Sequence, residues 1–203
     1  MTFITTISIF KKTNFMTVKH RCGWCLGDPL YESYHDHEWG IPVYDDDALF
    51  EFLILETFQA GLSWITILRK RENFRNAFDN FNYKKIANYD EEKIESLLED
   101  AGIIRNKLKI KATVTNARAF MEIQKEFGSF SKYIWGFVDG KPIKNKLKHH
   151  KNAPATTPLS DTISKDLKQR GFKFVGSTVI YAHMQATGMV NDHELECFRY
   201  REV

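Results

Sequence analysis

An all-α fold is predicted for this chain of 203 residues by three observations. Apolar residues recur at spacings of three and four through ALFEFLILETFQ, which is the period of a helix. Carboxylates and hydroxyls suited to opening helices, and glycines suited to closing them, bracket that segment and several later ones. A hydrophobic content of 43% over this length is enough for one sizeable core, so a single domain is expected. Taken in order, Asp45 to Asp47 can cap the first clear helix and Gly61 should end it. A second helix runs from about Ser63 through WITILRKRENFRNAF. Asp90 opens a third through EEKIESLLED, closed by Gly102. A long helix from about Lys107 to Phe127 and a short one across Phe130 to Trp135 follow. Lys141 to Pro158 mixes Pro, Lys and the pair His149-His150 without periodicity, which reads as a mobile, solvated basic loop able to reach nucleic acid. Ser160 suits the N-cap of DTISKDLKQR, with Gly171 as its left-handed C-cap. The segment FKFV then makes a tight connection to a last helix that starts after Gly176.

Net charge is only +3, but it is unevenly placed. Residues 1 to 100 hold 11 Lys and Arg against 17 Asp and Glu, whereas residues 101 to 203 hold 18 against 9. A basic C-terminal half is what a phosphate-binding face requires, although charge alone is weak support. Three cysteines make no disulfide framework and fit thiols kept reduced in the cytoplasm. The opening MTFITTISIFKKTNF places Lys11 and Lys12 behind its apolar run, and no small-residue cleavage site follows, which argues against a secretory signal. No later run is long and apolar enough to span a membrane.

Cys22 and His35 lie near one end, and His193 and Cys197 near the other. Each pair offers a thiolate and an imidazole, the ligands of closed tetrahedral zinc sites. With three residues between them, His193 and Cys197 suit one helical turn. Cys22 and His35, with twelve residues between them, must meet through the turn-rich stretch CLGDPLYESY. By spacing alone the motif is weak, and metal-free burial or exposure of four such residues is the commoner outcome.

The words around them are more specific. RCGW (residues 21–24), DPLYESYHDHEWG (28–40), QAGLSWITILRKRENFR (59–75), DAGIIRNKLKI (100–110), LKQRGFKFVGSTVIYAHMQATGMVNDH (167–193) and NDHELEC (191–197) occur in order. Together the chain from about Arg21 to Cys197 resembles the DNA-3-methyladenine glycosylase I family. That resemblance implies a helix-hairpin-helix DNA glycosylase fold, with structural Zn²⁺ on Cys22, His35, His193 and Cys197 joining the two terminal segments. It also implies one glycosylase domain over residues 16–203, with zinc-bound termini at 21–40 and 191–197 around a helical core. Residues 1–15 are then a disordered extension or a misassigned start.

The chemistry the resemblance implies is release of 3-methyladenine from alkylated double-stranded DNA by a monomer, leaving an abasic site without lyase cleavage. A base extruded from the duplex needs aromatic walls and a polar anchor. Tyr34 and Trp64 rank first as stacking partners, Trp24 and Tyr31 next, and Trp39 is expected in the core. Glu56 falls inside an otherwise apolar helix, where a carboxylate needs a partner or a function. The resemblance makes it the base-recognising and catalytic group. Glu51, five residues earlier, does not share its face. Gln59, Gly61 and Leu62 resemble the loop that approaches the gap left by the extruded base, with Leu62 as the wedge. Lys173 and the amides behind Gly176 suit a DNA phosphate. Asp192 sits near the position of a catalytic Asp in related superfamily members but precedes a proposed metal ligand. Two rival readings are a helix-hairpin-helix glycosylase of other base specificity and a zinc-containing DNA-binding protein without catalysis.

Overall fold

A computed structural model describes residues 19–203, and the expected boundary after residue 15 lies outside the described residues. Asp28 opens the first helix, α1 (Pro29–His37), by accepting from the amides of Leu30 and Tyr31 behind a proline in the first turn. This helix replaces the turn expected between Cys22 and His35, because Asp-Pro is a start signal as well as a turn signal. The chain then enters α2 (Asp46–Gln59), capped by Asp45 through the Ala48 amide. Every residue from Phe52 to Phe58 is buried, so α2 is enclosed on all sides rather than presenting one stripe.

The remaining helices wrap this axis. They are α3 (Trp64–Ala77), α4 (Tyr83–Ile86), α5 (Glu91–Glu99), α6 (Lys107–Phe127), α7 (Phe130–Gly136), α8 (Pro158–Gln169) and α9 (Ser177–Ala186). Helix α2 packs against α3, α6, α7 and α9. Asp46, freed from capping its own helix, accepts from the Phe130 and Ser131 amides and so fixes the start of α7. Helix α5 stops at Glu99 with Asp100 as its cap, ahead of the expected Gly102. Helix α8 begins before the expected Ser160 cap. Thr157 is the true N-cap, Pro158 follows it, and Ser160 completes a reciprocal capping box from the third position. Gly171 adopts the positive φ expected of it after α8, and Gly61, expected to end α2, has a positive φ as well.

Two short strands, β1 (Ile143–Lys144) and β2 (Val190–Asn191), pair in parallel, and Leu147 bridges to Glu194. The segment expected as a mobile solvated loop is therefore tied to the C-terminal segment along much of its length. The C-terminal segment also meets the chain after α1. The Gly40 and Val43 amides donate to the Gln185 and Thr187 carbonyls. Gly188 makes this approach possible, since a Cβ there would lie 2.5 Å from the backbone of Ile41 and Pro42. Among the described residues no helix is long and apolar enough to cross a membrane.

Candidate active site

A cleft of about 260 Å³, just under the ~300 Å³ at which typical small-molecule sites begin, opens where α1, α2, α3 and α9 converge. Its walls are aromatic. Trp24 comes from the short turn before α1, Tyr31 and Tyr34 from one face of α1, and Trp64 from the first position of α3. Trp24 meets Tyr31 and Trp39 edge to face, with centroids 4.8 Å and 5.0 Å apart. Tyr34 tilts against Trp64 at 5.5 Å. Trp39, expected in the core, lines the cleft instead, because the end of α1 turns it outward against Trp24.

Glu56 projects from α2 into this space and is 3% exposed. Its Oε2 has no hydrogen-bond partner, and neither has the Nε1 of Trp64. These are two of the three buried side-chain polar atoms without a partner among the described residues, and both belong to this cleft. Burial alone pushes the Glu56 carboxyl up to about 8. It also pushes the Tyr31 phenol up to about 12 and Tyr34 further still. Glu51 shows the alternative. It faces away from the cleft and is neutralised by Arg71 and Arg75 at 2.5 Å and 2.8 Å. An acceptor and a donor left unpaired in an aromatic cleft are groups that a planar polar ring could satisfy.

Gln59 also lines the cleft, and the turn after it carries Gly61 and Leu62 outward, with Leu62 41% exposed. Lys173 is exposed at the tip between α8 and α9. Gly176 is the N-cap of α9 and supplies no side-chain cap, so the first amides of that helix remain available. Neither residue lines the cleft. Four cleft residues lay outside the expected set: His150, Ala153, Ala182 and Gln185. The His149-His150 pair hinted at the first. Nothing in the helical pattern singled out Gln185. Asp192 lines the cleft too, but its carboxylate is fully engaged by Asn145, Tyr181 and Gln185 at 2.6–2.8 Å.

Beside the cleft, Cys22, His35, His193 and Cys197 are all buried, and their ligand atoms lie within 4.8 Å of one another. The Cys197 Sγ is 3.4 Å from His35 Nε2 and 3.7 Å from His193 Nδ1, and Cys22 Sγ is 3.6 Å from His193 Nδ1. A tetrahedral zinc with Zn–S of about 2.3 Å and Zn–N of about 2.0–2.1 Å sets sulfur and nitrogen about 3.6 Å apart. The outer contacts fit as well. His35 Nδ1 meets Asp36 at 2.9 Å, and His193 Nε2 meets the Trp39 carbonyl at 3.2 Å, which leaves one nitrogen of each ring facing inward. The Glu194 amide donates to Cys22 Sγ. The hydrogen bond from the Cys22 thiol to Cys197 Sγ, together with the two histidines, holds the Cys197 thiol well below the ordinary thiol range. The helical turn expected for His193 and Cys197 is absent. They flank the Leu147–Glu194 bridge and a turn, which bring the two side chains together equally well. The donor set therefore fits a closed metal site.

The family model for methyladenine glycosylase matches residues 24–200. The chain is 49% identical over 180 residues to DNA-3-methyladenine glycosylase 1 of Escherichia coli K12, covering 89% of this chain and 96% of that protein. Among solved structures it is similar to a 3-methyladenine DNA glycosylase I at 50% identity and a TM-score of 0.86, covering 88% of this chain and 98% of the other. It is also similar to the Staphylococcus aureus 3-methyladenine DNA glycosylase I, whose structure describes 3-methyladenine recognition. The identity there is 38% and the TM-score 0.85, over 88% of this chain and 95% of that one.

Proposed function

The chain belongs to the methyladenine glycosylase family, and from that premise we propose that it excises 3-methyladenine from alkylated double-stranded DNA. Water displaces the base at C1′. The C1′–N9 bond breaks with its electron pair passing to the base, which leaves neutral, and the water proton is released to solvent. An abasic site remains. Among the described residues no lysine lines the cleft to form a Schiff base, which supports hydrolysis without lyase chemistry.

The observation that carries this reading is the pairing of an orphaned Glu56 Oε2 with an orphaned Trp64 Nε1 inside aromatic walls. The N3-methylated base bears a positive charge in DNA and is a good leaving group before the protein acts. Tyr34 and Trp64 stack against it, with Trp24 and Tyr31 beside them. Each favourable cation–aromatic contact is worth roughly 0.5–2 kcal/mol. Glu56 accepts from the exocyclic amine. In the free cleft burial keeps its carboxyl protonated near neutral pH, and the arriving cation restores the carboxylate. Unmethylated adenine brings no charge, so it cannot offset the desolvation of an ionised Glu56. Selectivity and leaving-group stabilisation thus rest on the same groups.

The Cys22, His35, His193 and Cys197 cluster is read as holding structural Zn²⁺. All four positions are protein ligands, so the metal supplies no open site for water and acts as a clasp. Leu62 is read as the wedge beside the vacated base, with Gln59 and Gly61, while Lys173 and the Gly176 amides take phosphate. Residues 16–203 act as one monomeric domain. The three free thiols support a reducing, cytoplasmic setting. The test is incubation of methylated duplex DNA with the protein and chromatographic identification of the released base. Release of 3-methyladenine is expected, and its retention in the DNA under single-turnover conditions would overturn the reading.

A further inference from the structure

Helix α6 carries two buried polar side chains that serve neither the core nor the cleft. Lys109 is 7% exposed, and its ammonium donates to the carbonyls of Phe58 and Ala60, both at 2.9 Å. It thereby caps the C-terminal end of α2, next to the turn that presents Leu62. Two acceptors are few for a buried ammonium, and burial lowers the Lys109 pKa. Asn116 is fully buried. Its Nδ2 donates to the Lys173 carbonyl at 3.1 Å, and its Oδ1 accepts from the Lys173 amide at 2.7 Å. One amide side chain thus holds both backbone groups of the hairpin tip. The next residue, Phe174, adopts φ 57° although it is neither glycine nor asparagine. Backbone of that kind persists only where its surroundings over-determine it.

Seven residues separate Lys109 from Asn116. At 100° per residue that is nearly two full turns, so they share one face of α6, about 10.5 Å apart along its axis. We infer that Lys109 and Asn116 are positioning residues through which α6 sets the spacing between the Leu62 turn and the Lys173–Gly176 hairpin, so that one bent duplex meets both. This rests on the reading of those two loops as the DNA-facing elements. A rigid strut has a reason to exist here. Wedge and phosphate grip act on the same distorted duplex, and play between them relaxes the distortion that extrudes the base.

Lys109→Met and Asn116→Leu, alone and together in the full chain, test the inference in two titrations. One uses free 3-methyladenine and the other a duplex carrying an abasic-site analogue. Each single variant is expected to weaken duplex binding about tenfold and to leave the free-base affinity within about twofold. The double variant is expected to lose no more than about tenfold in all, because either broken tie already frees the spacing. Where an apolar variant does not fold, Lys109→Gln and Asn116→Asp, each keeping part of the bonding, take its place. Parallel loss of base and duplex affinity would show a purely structural role. A double loss of about a hundredfold would show two independent local effects. Either outcome overturns the inference, as does unchanged duplex binding when Leu62→Ala and Lys173→Ala weaken it. If those two direct substitutions also leave duplex binding unchanged, the assignment of the DNA-facing loops fails and takes the inference with it.

Discussion

Replacing Glu56 with glutamine should make the protein more stable and less active, and the pH dependence of the difference is fixed by the structure. Burial raises the Glu56 carboxyl from 4.5 to about 8, with no partner to oppose it. Between these values the unfolded chain has released a proton that the folded chain still holds. Stability is therefore lost as pH rises from about 4.5 to about 8, the sign opposite to that of a salt-bridged carboxylate. At 1.36 kcal/mol per unit, the wild type carries a deficit of about 3 kcal/mol at pH 7 and about 5 kcal/mol at pH 9. Glu56→Gln removes the titration and keeps the shape. Urea unfolding of both proteins at pH 5, 7 and 9 should show a gap that widens by several kcal/mol in favour of the glutamine variant. Activity should move the other way. A charge-assisted hydrogen bond to the cationic base is worth about 1.5–3 kcal/mol, so single-turnover release of 3-methyladenine should fall about 10- to 150-fold. A gap that is flat with pH, or that favours the wild type, would refute the reasoning. It would mean that Glu56 is ionised and paired in the free protein.

Three further outcomes follow from the same structure. Cys197→Ser should cost the protein about one equivalent of zinc by metal analysis and more than about 4 kcal/mol of stability, since a buried ligand set is left open; wild type purified metal-free at full stability would remove the clasp. Gly40→Ala should lower metal retention and melting temperature together, because Gly40 has φ 77° and its new Cβ would stand 2.8 Å from His193 Nε2. His183 is buried, meets the Leu49 carbonyl at 3.2 Å, and is pushed down to about 4 mainly by burial. The unfolded chain takes up its proton first, so about 3 kcal/mol should be lost as pH falls from 6.5 to 4. His183→Gln should abolish that part of the acid sensitivity in denaturation curves.

The existence and order of α2, α3, α6 and α9 were legible in the sequence, α2 with both a helical period and Gly61 as its stop. The misplacements have physical causes. The DPLYESY stretch reads as a turn because Asp-Pro serves equally as a β-turn start and a helix N-terminus, and Asp28 here captures two amides and starts α1. The loop of residues 141–158 reads as solvated because each of its lysines is exposed. What ties it down is backbone pairing with residues 190–195 and the grip of Glu194 on His150, long-range events with no local signature.

Glu56 and Glu51 show most clearly where sequence reading stops. Both sit on one helix in apolar company, and pattern alone separated them only by their difference in face. The difference on which the proposed function rests lies in α3. Arg71 and Arg75 reach Glu51 and make it an ordinary ion pair, while the first residue of the same helix, Trp64, lines the cleft that Glu56 enters and keeps a buried N–H without a partner. One helix thus satisfies one carboxylate and leaves the other wanting. The metal cluster stands apart from this contrast. It ties Trp39 through His193 and neighbours Trp24 through Cys22, so in the proposed function it steadies the outer aromatic wall while α2 meets the charge of the base. Loss of metal should therefore loosen stacking before it alters the carboxylate. In a metal-depleted protein that remains folded, the affinity for free 3-methyladenine should drop while the alkaline stability deficit of Glu56 persists.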